Sequence, residues 1–445
     1  MKQLNQEESK RISERVLGLS KADECSVAIS GSREGNIRFA RNSVSTAGLT
    51  QDQQLTVTVA FGKRQGTASI NEFDDKSLER AVRRAEDIAR LAPENPEYVT
   101  IPGKQDFKSS GTYFAATAAI DPEYRAEVAA KAILAGRKKG LVTAGFFNDS
   151  TGFETIANSK GVFGHREFTD LGFTCTARTE DGRGSGWVTR SAVDAGRFDA
   201  GEAVDVAMDK ALRSVDARAL EPGRYTVILE PAATSEVLGR LFGAFGARQA
   251  DEGRSFLARK GGGNRLGEKL FDEQVNVWAD PWDKDVPVSP WDSNAMLARR
   301  RTDLIKDGKV ASLDYSRFWA QKNGKAPTAR HGNMIMAGGG KSLDELVAST
   351  KKGIVVTRTW YIRMVDPQSL LLTGLTRDGT FYVENGKIKY PVKNFRFNES
   401  PVSILNNVDE LGKPVIIGGD EVSFQMVLPP MRIRDFNFTS LSDAV

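Results

Sequence analysis

The chain changes texture at Glu221-Pro222-Gly223, and this break constrains the fold more than any other feature. Before it, strand-like runs alternate with long amphipathic helices. After it, short β-prone runs and turns dominate. At 445 residues the chain is too long for one ordinary core, so two domains are the expectation. We place them at 1–219, a mixed α/β layered domain, and 220–445, a β-rich barrel-like or sandwich domain with a few helices. The fold class is α+β.

The first half supplies clear punctuation. Residues 4–19 read as a charged helix, followed by alternating stretches at Cys25–Ser30 and Ile37–Ala40. Leu55–Phe61 alternates apolar and polar residues as a half-buried strand does, and Gly62–Gly66 turns the chain into Thr67–Ile70. Asp74 and Asp75 open a helix through Leu91 that Pro93 and Pro96 stop. Asp121-Pro122-Glu123 opens another, closed by Gly140. Strands are expected at Leu141–Phe147, Thr155–Asn158 and Phe168–Thr176, then a glycine-rich bend at 181–186 and a helix at Ala200–Ser214.

In the second half Asp307-Gly308, Asp378-Gly379 and Asn385-Gly386 each carry the strongest short-range hairpin signal. Ser342-Leu343-Asp344-Glu345 is a capping box leading into a helix over Leu346–Lys352. Trp278, Trp282 and Trp291 sit among prolines, and whether they form core or line a peptide surface is left open by sequence.

Composition excludes several function classes. With 40% hydrophobic and 27% charged residues and a net charge of +4, the chain reads as soluble and globular, with no basic stripe for nucleic acid. Arg299-Arg300-Arg301 and Arg137-Lys138-Lys139 read as solvated faces. The N-terminus lacks the apolar core of a signal peptide, and no segment approaches the roughly 20 apolar residues of a membrane span. The two cysteines, Cys25 and Cys175, follow no disulfide pattern, so we expect a reducing, cytoplasmic location.

Motifs for nucleotide and hydrolase chemistry fail on inspection. Gly338-Gly339-Gly340-Lys341-Ser342 has Ile335 where a phosphate-binding loop needs its first glycine. Ser185 has Arg183 where a nucleophile elbow needs glycine. His165 and His331, the two histidines of the chain, read as turn and loop residues. Asp280, Asp283, Asp285 and Asp292 lack calcium-loop spacing and read as a solvated acidic loop.

The segment Leu220–Ala250 reads as a strand, a proline turn and an apolar helix, with Val237, Leu238, Leu241, Phe242 and Phe245 as its stripe. Its run Leu238-Gly239-Arg240-Leu241-Phe242-Gly243-Ala244 resembles the zinc helix of the TldD/PmbA metallopeptidases, whose catalytic branch carries His-Glu-x-x-Gly-His there. Further blocks are similar to that family in family order. They include Arg38–Asn42, Ile156–Val162, Leu220–Pro231, Leu304–Lys309, Gly353–Trp360 and Val383–Val392.

Two imidazoles about one helical turn apart can pinch a zinc ion while a neighbouring carboxylate takes the proton of its water. Here Gly239, Arg240 and Ala244 occupy the places of the first His, the Glu and the second His. The cysteine that the resemblance supplies as third ligand has no counterpart after Cys175. The chain is thus identified as a member of the PmbA (TldE-like) branch, with no metal site, cofactor or catalytic residue of its own. The resemblance implies a non-catalytic subunit, a pseudoenzyme that pairs with a zinc-bearing TldD-type protein in a heterodimer cleaving peptides or unfolded segments. The family name as modulator of DNA gyrase accompanies it without implying DNA contact. The alternatives are a stand-alone homodimeric peptide-binding or assembly protein, and a hydrolase with an unrecognised site.

Overall fold

The computed structural model describes residues 3–418 and 424–442. It opens with α1 (Gln6–Leu19), whose start is fixed by a reciprocal capping box between Asn5 and Glu8. Three long hairpin-connected strands follow, β1 (Glu24–Ala40), β2 (Ser43–Phe61) and β3 (Arg64–Ile70). Then come α2 (Asp75–Leu91), the single turn α3 (Ala115–Ala118) and α4 (Pro122–Lys139). The half ends with β4 (Leu141–Asn158), β5 (Phe163–Thr179), β6 (Ser185–Ala192) and α5 (Ala200–Arg213).

Within the described residues these strands form one antiparallel sheet in the order β3-β2-β1-β4-β5-β6. The strands are longer than their sequence signals. Cys25–Ser30 and Ile37–Ala40 belong to one strand, as do Leu141–Phe147 and Thr155–Asn158. Glycines and polar residues interrupt the alternation without breaking the ladder. The helices cover a single face. Val27, Ile29, Leu55 and Val57 pack with α1 and α2, while Phe39, Phe147, Phe173 and Cys175 pack with α4 and α5. The expected caps hold: Asp74 and Asp121 accept first-turn N–H groups, and Gly140 closes α4 in the left-handed region at φ 66°.

The second half is β-rich, and its larger sheet curls into a half-barrel. Among the described residues that sheet has nine strands, with β7 (Gly223–Leu229) between the parallel strand Lys352–Val356 and the antiparallel strand Met431–Leu441. A second sheet contains Val277–Ala279, Met334–Met336, Val415–Gly418 and Gln425–Leu428. Pro231 opens α6 (Pro231–Phe242), which lies against both sheets.

Three expectations need correction here. The helix α6 ends at Phe242 and the chain turns at Gly243, so Phe245 is buried but not helical and Ala244 lies beyond the helix. The capping box at Ser342 works as expected, but its helix spans Leu343–Ala348, because Lys352 already enters a strand beside β7. Asp307-Gly308 and Asn385-Gly386 join paired strands, whereas Asp378-Gly379 does not. Leu371–Thr376 pairs with Thr359–Asp366 and Phe395–Glu399, and Thr380–Glu384 pairs elsewhere. The buried Asp378 carboxylate, held at 2.5 Å by both Arg358 Nη1 and Ser185 Oγ, anchors this bend between the two halves. No helix among the described residues is long and apolar enough to cross a membrane.

Candidate functional site

The uncovered face of the first sheet forms the floor of a cleft of about 670 Å³ whose roof is the second half of the chain. Strand alternation sets the floor. On β5 it comprises Arg166, Phe168, Asp170, Gly172 and Thr174; on β4, Phe146, Asn148 and Glu154; on β6, Thr189 and Ser191. Register brings them side by side, with Asn148 opposite Gly172 and Gly172 opposite Ser191. Glycine at 172 leaves room for the Asn148 amide, since a Cβ there would come within 2.8 Å of Asn148 Oδ1.

The roof contributes Val288, Ser289, Trp291, Arg299, Gly332, Phe424 and Gln425. The helix α6 stands one layer behind it. Its last residue, Phe242, meets Phe424 with ring centroids 4.9 Å apart and His331 at 5.7 Å. Gln425 closes one wall: its amide Nε2 donates to Asp170 Oδ1 at 2.7 Å and to Ser191 Oγ at 3.1 Å. Ser110 Oγ donates to the Val288 carbonyl at 2.5 Å and ties a second point.

The cleft is polar and mixed in charge. Burial pushes the Asp170 carboxyl up to about 7, against the lowering effect of the Gln425 amide, so it holds or yields a proton near neutrality. Arg166 and Glu154 neutralise each other at 2.9 Å. Burial draws Arg299 below the usual guanidinium range. Such a surface offers side-chain donors and acceptors to the polar groups of a ligand.

The residues singled out from sequence fall in several places. Gly239 is buried within α6, Arg240 is partly exposed on it and Ala244 lies in the following turn. Gly239 and Ala244 offer no lone pair, and Arg240 carries a positive charge. Cys25 and Cys175 are buried free thiols in the first half. His331 Nε2 sits 2.7 Å from Asp314 Oδ1, an ion-pair distance off the line that a hydrogen bond would take. Among the described residues no three His, Cys, Asp or Glu side chains converge as a metal ion requires.

Other placements correct the sequence reading. His165 lies within β5, not in a turn, and pairs with Thr155 Oγ1 at 2.8 Å. The four aspartates form no solvated cluster. Asp280 and Asp283 cap their own turns, Asp285 pairs with Arg197 at 2.7 Å, and Asp292 is buried, accepting the Arg330 N–H. Trp291 is core at 1% exposure and packs on Phe107, whereas Trp282 lies at the surface beneath Lys108. Arg299 is not solvated like its neighbours but enters the cleft. Asp170 and Gln425 escaped sequence reasoning because they stand 255 positions apart and neither carries a motif.

Comparisons with known proteins match the whole length of this architecture. Models of the PmbA/TldA metallopeptidase family match in three consecutive parts: domain 1 over 25–89, the central domain over 115–219 and the C-terminal domain over 222–440. The chain is 24% identical over 439 residues to the metalloprotease PmbA of Escherichia coli O157:H7, covering 94% of this chain and 93% of that protein. Its fold is similar to that of TldE from Thermococcus kodakarensis, with a TM-score of 0.86 at 17% identity, covering 97% of this chain and 99% of the other. A putative modulator of a DNA gyrase from Thermotoga maritima gives a TM-score of 0.85 at 17% identity, covering 97% and 100%.

Proposed function

The chain belongs to the PmbA/TldA metallopeptidase family, and from that premise we propose that it acts as the non-catalytic, zinc-less subunit of a heteromeric peptidase. The observation that carries this reading is the helix α6. The zinc that the family implies finds no donor set there, because Gly239, Arg240 and Ala244 stand at the family positions and Ala244 has left the helix. No catalytic step is assigned to this chain. Its part is to hold an extended peptide along the sheet floor, exclude water and present the strand to a zinc-bearing TldD-type partner. Asn148, Asp170, Thr174 and Ser191 supply hydrogen-bonding groups on that floor.

Co-expression with a zinc-bearing homologue tests the proposal. We expect a stable complex whose peptidase activity needs both chains, and no stoichiometric zinc in this chain alone by elemental analysis. A partner that cleaves equally well by itself would remove the subunit role. A second reading, a stand-alone peptide-binding protein, is favoured by one observation: floor and roof of the cleft come from one chain. It predicts peptide binding without any partner.

A further inference from the structure

Arg299 is a half-buried cation that the fold leaves without a carboxylate in hydrogen-bond contact. It sits in the cleft roof, where Nε donates to the Arg330 carbonyl at 2.7 Å and Nη1 to the Ser289 carbonyl at 3.0 Å. Those bonds use two of the five guanidinium N–H groups. Among the described residues it joins no ion pair. The carboxylates whose charge reaches it, Asp292 and Glu154, are engaged elsewhere. Asp292 accepts the N–H groups of Asn294, Ala295 and Arg330, and Glu154 is held by Arg166 at 2.9 Å. The like charge of Arg166 faces it across the cleft.

The slot around the guanidinium is built for it. A Cβ at Gly332 would lie 2.7 Å from Val288 Cγ2 and 3.2 Å from Arg299 Cζ, so any larger residue there presses on Val288 and crowds the guanidinium. A half-buried guanidinium with N–H groups to spare can take an incoming carboxylate through charge-assisted, two-pronged hydrogen bonds.

We propose that Arg299 is the anion-recognising residue of the cleft and takes a carboxylate of the bound peptide, either its C-terminal carboxylate or an acidic side chain. The proposal rests on the reading of the cleft as a peptide site. It makes Arg299 a residue that fixes the peptide's register.

Binding of fluorescent peptides to the full chain, followed by anisotropy, tests it. Four peptides share one flexible sequence: free acid or C-terminal amide, each with a single internal Asp or Asn. Removing the recognised carboxylate should weaken binding about tenfold. The pair that shows this loss identifies whether the terminus or the side chain is read. In Arg299→Gln the discrimination should vanish, while Arg299→Lys keeps part of it. Should Arg299→Gln fail to fold, Gly332→Ala keeps the cation, crowds the slot and should lower the same discrimination. Equal binding of all four peptides to the unmodified chain would overturn the role of Arg299 and leave the peptide reading standing. Binding of none would overturn both.

Discussion

Four consecutive residues of β4 show both sides of this molecule. Phe147 and Asp149 point under the helices: Phe147 packs on Tyr124 and Phe198, and Asp149 grips Arg125 of α4 at 2.6 and 2.9 Å. Phe146 and Asn148 point the other way and line the cleft. The covered face is mostly apolar, and its Arg125–Asp149 charges pair with each other; the open face mixes aromatic, amide, acid and base. One strand therefore builds a core and a site at once, and a single substitution addresses either without touching the other.

The largest separation of the two faces should come from Asp149→Ala. Asp149 and Arg125 are 2% and 4% exposed. Removing the acid strands a buried guanidinium and should cost about 3–5 kcal/mol in urea unfolding. A loss below about 1 kcal/mol would mean that water reaches Arg125. Phe147→Ala should follow at about 3–4 kcal/mol, as for other buried aromatic truncations.

The open face should answer to pH instead. Asp170 titrates at about 7 in the folded chain against 3.8 for the free side chain. The folded state therefore holds an extra proton between those values, and stability that is full below about pH 4 is lost as the pH rises through 7. Asp170→Asn should raise the melting temperature at pH 8, by the equivalent of ~1–2 kcal/mol, and change little at pH 4. Equal shifts at both pH values would show that burial does not set the Asp170 proton affinity.

Phe146→Ala should have the smallest effect on stability, about 0.5–1 kcal/mol, since it loses mainly the contact with the Arg38 guanidinium 5.3 Å above its ring. Peptide binding should nevertheless fall several-fold. If Phe146→Ala and Phe147→Ala destabilise alike, the division into two faces is wrong.

The features legible in sequence are those decided by near neighbours. Helix starts at Asp74, Asp121 and Ser342 follow from side chains bonding to N–H groups two or three residues on. The strands were legible only in fragments, because a face that lines a polar cleft breaks the apolar alternation with residues such as Asn148, Asp170 and Gly172. Asp378-Gly379 has the positive φ angles of a hairpin turn, 54° and 125°, yet its strands have different partners. Local turn chemistry does not specify long-range pairing. The cleft itself was invisible for the same reason: its wall bond joins Asp170 to Gln425, and Arg299 is indistinguishable in sequence from its solvated neighbours.

The early end of α6 bears on what the helix could carry. Three substitutions would place His, Glu and His at 239, 240 and 244. The first two would stand on the helix and the third on the turn that continues it, where Gly243 keeps helical dihedrals and the Ala244 N–H donates to the Leu241 carbonyl at 2.9 Å. Running α6 on by a further turn would come at the expense of the buried seat of Phe245, which closes against Phe256. The length of this helix is therefore set by the packing of a residue that lies outside it.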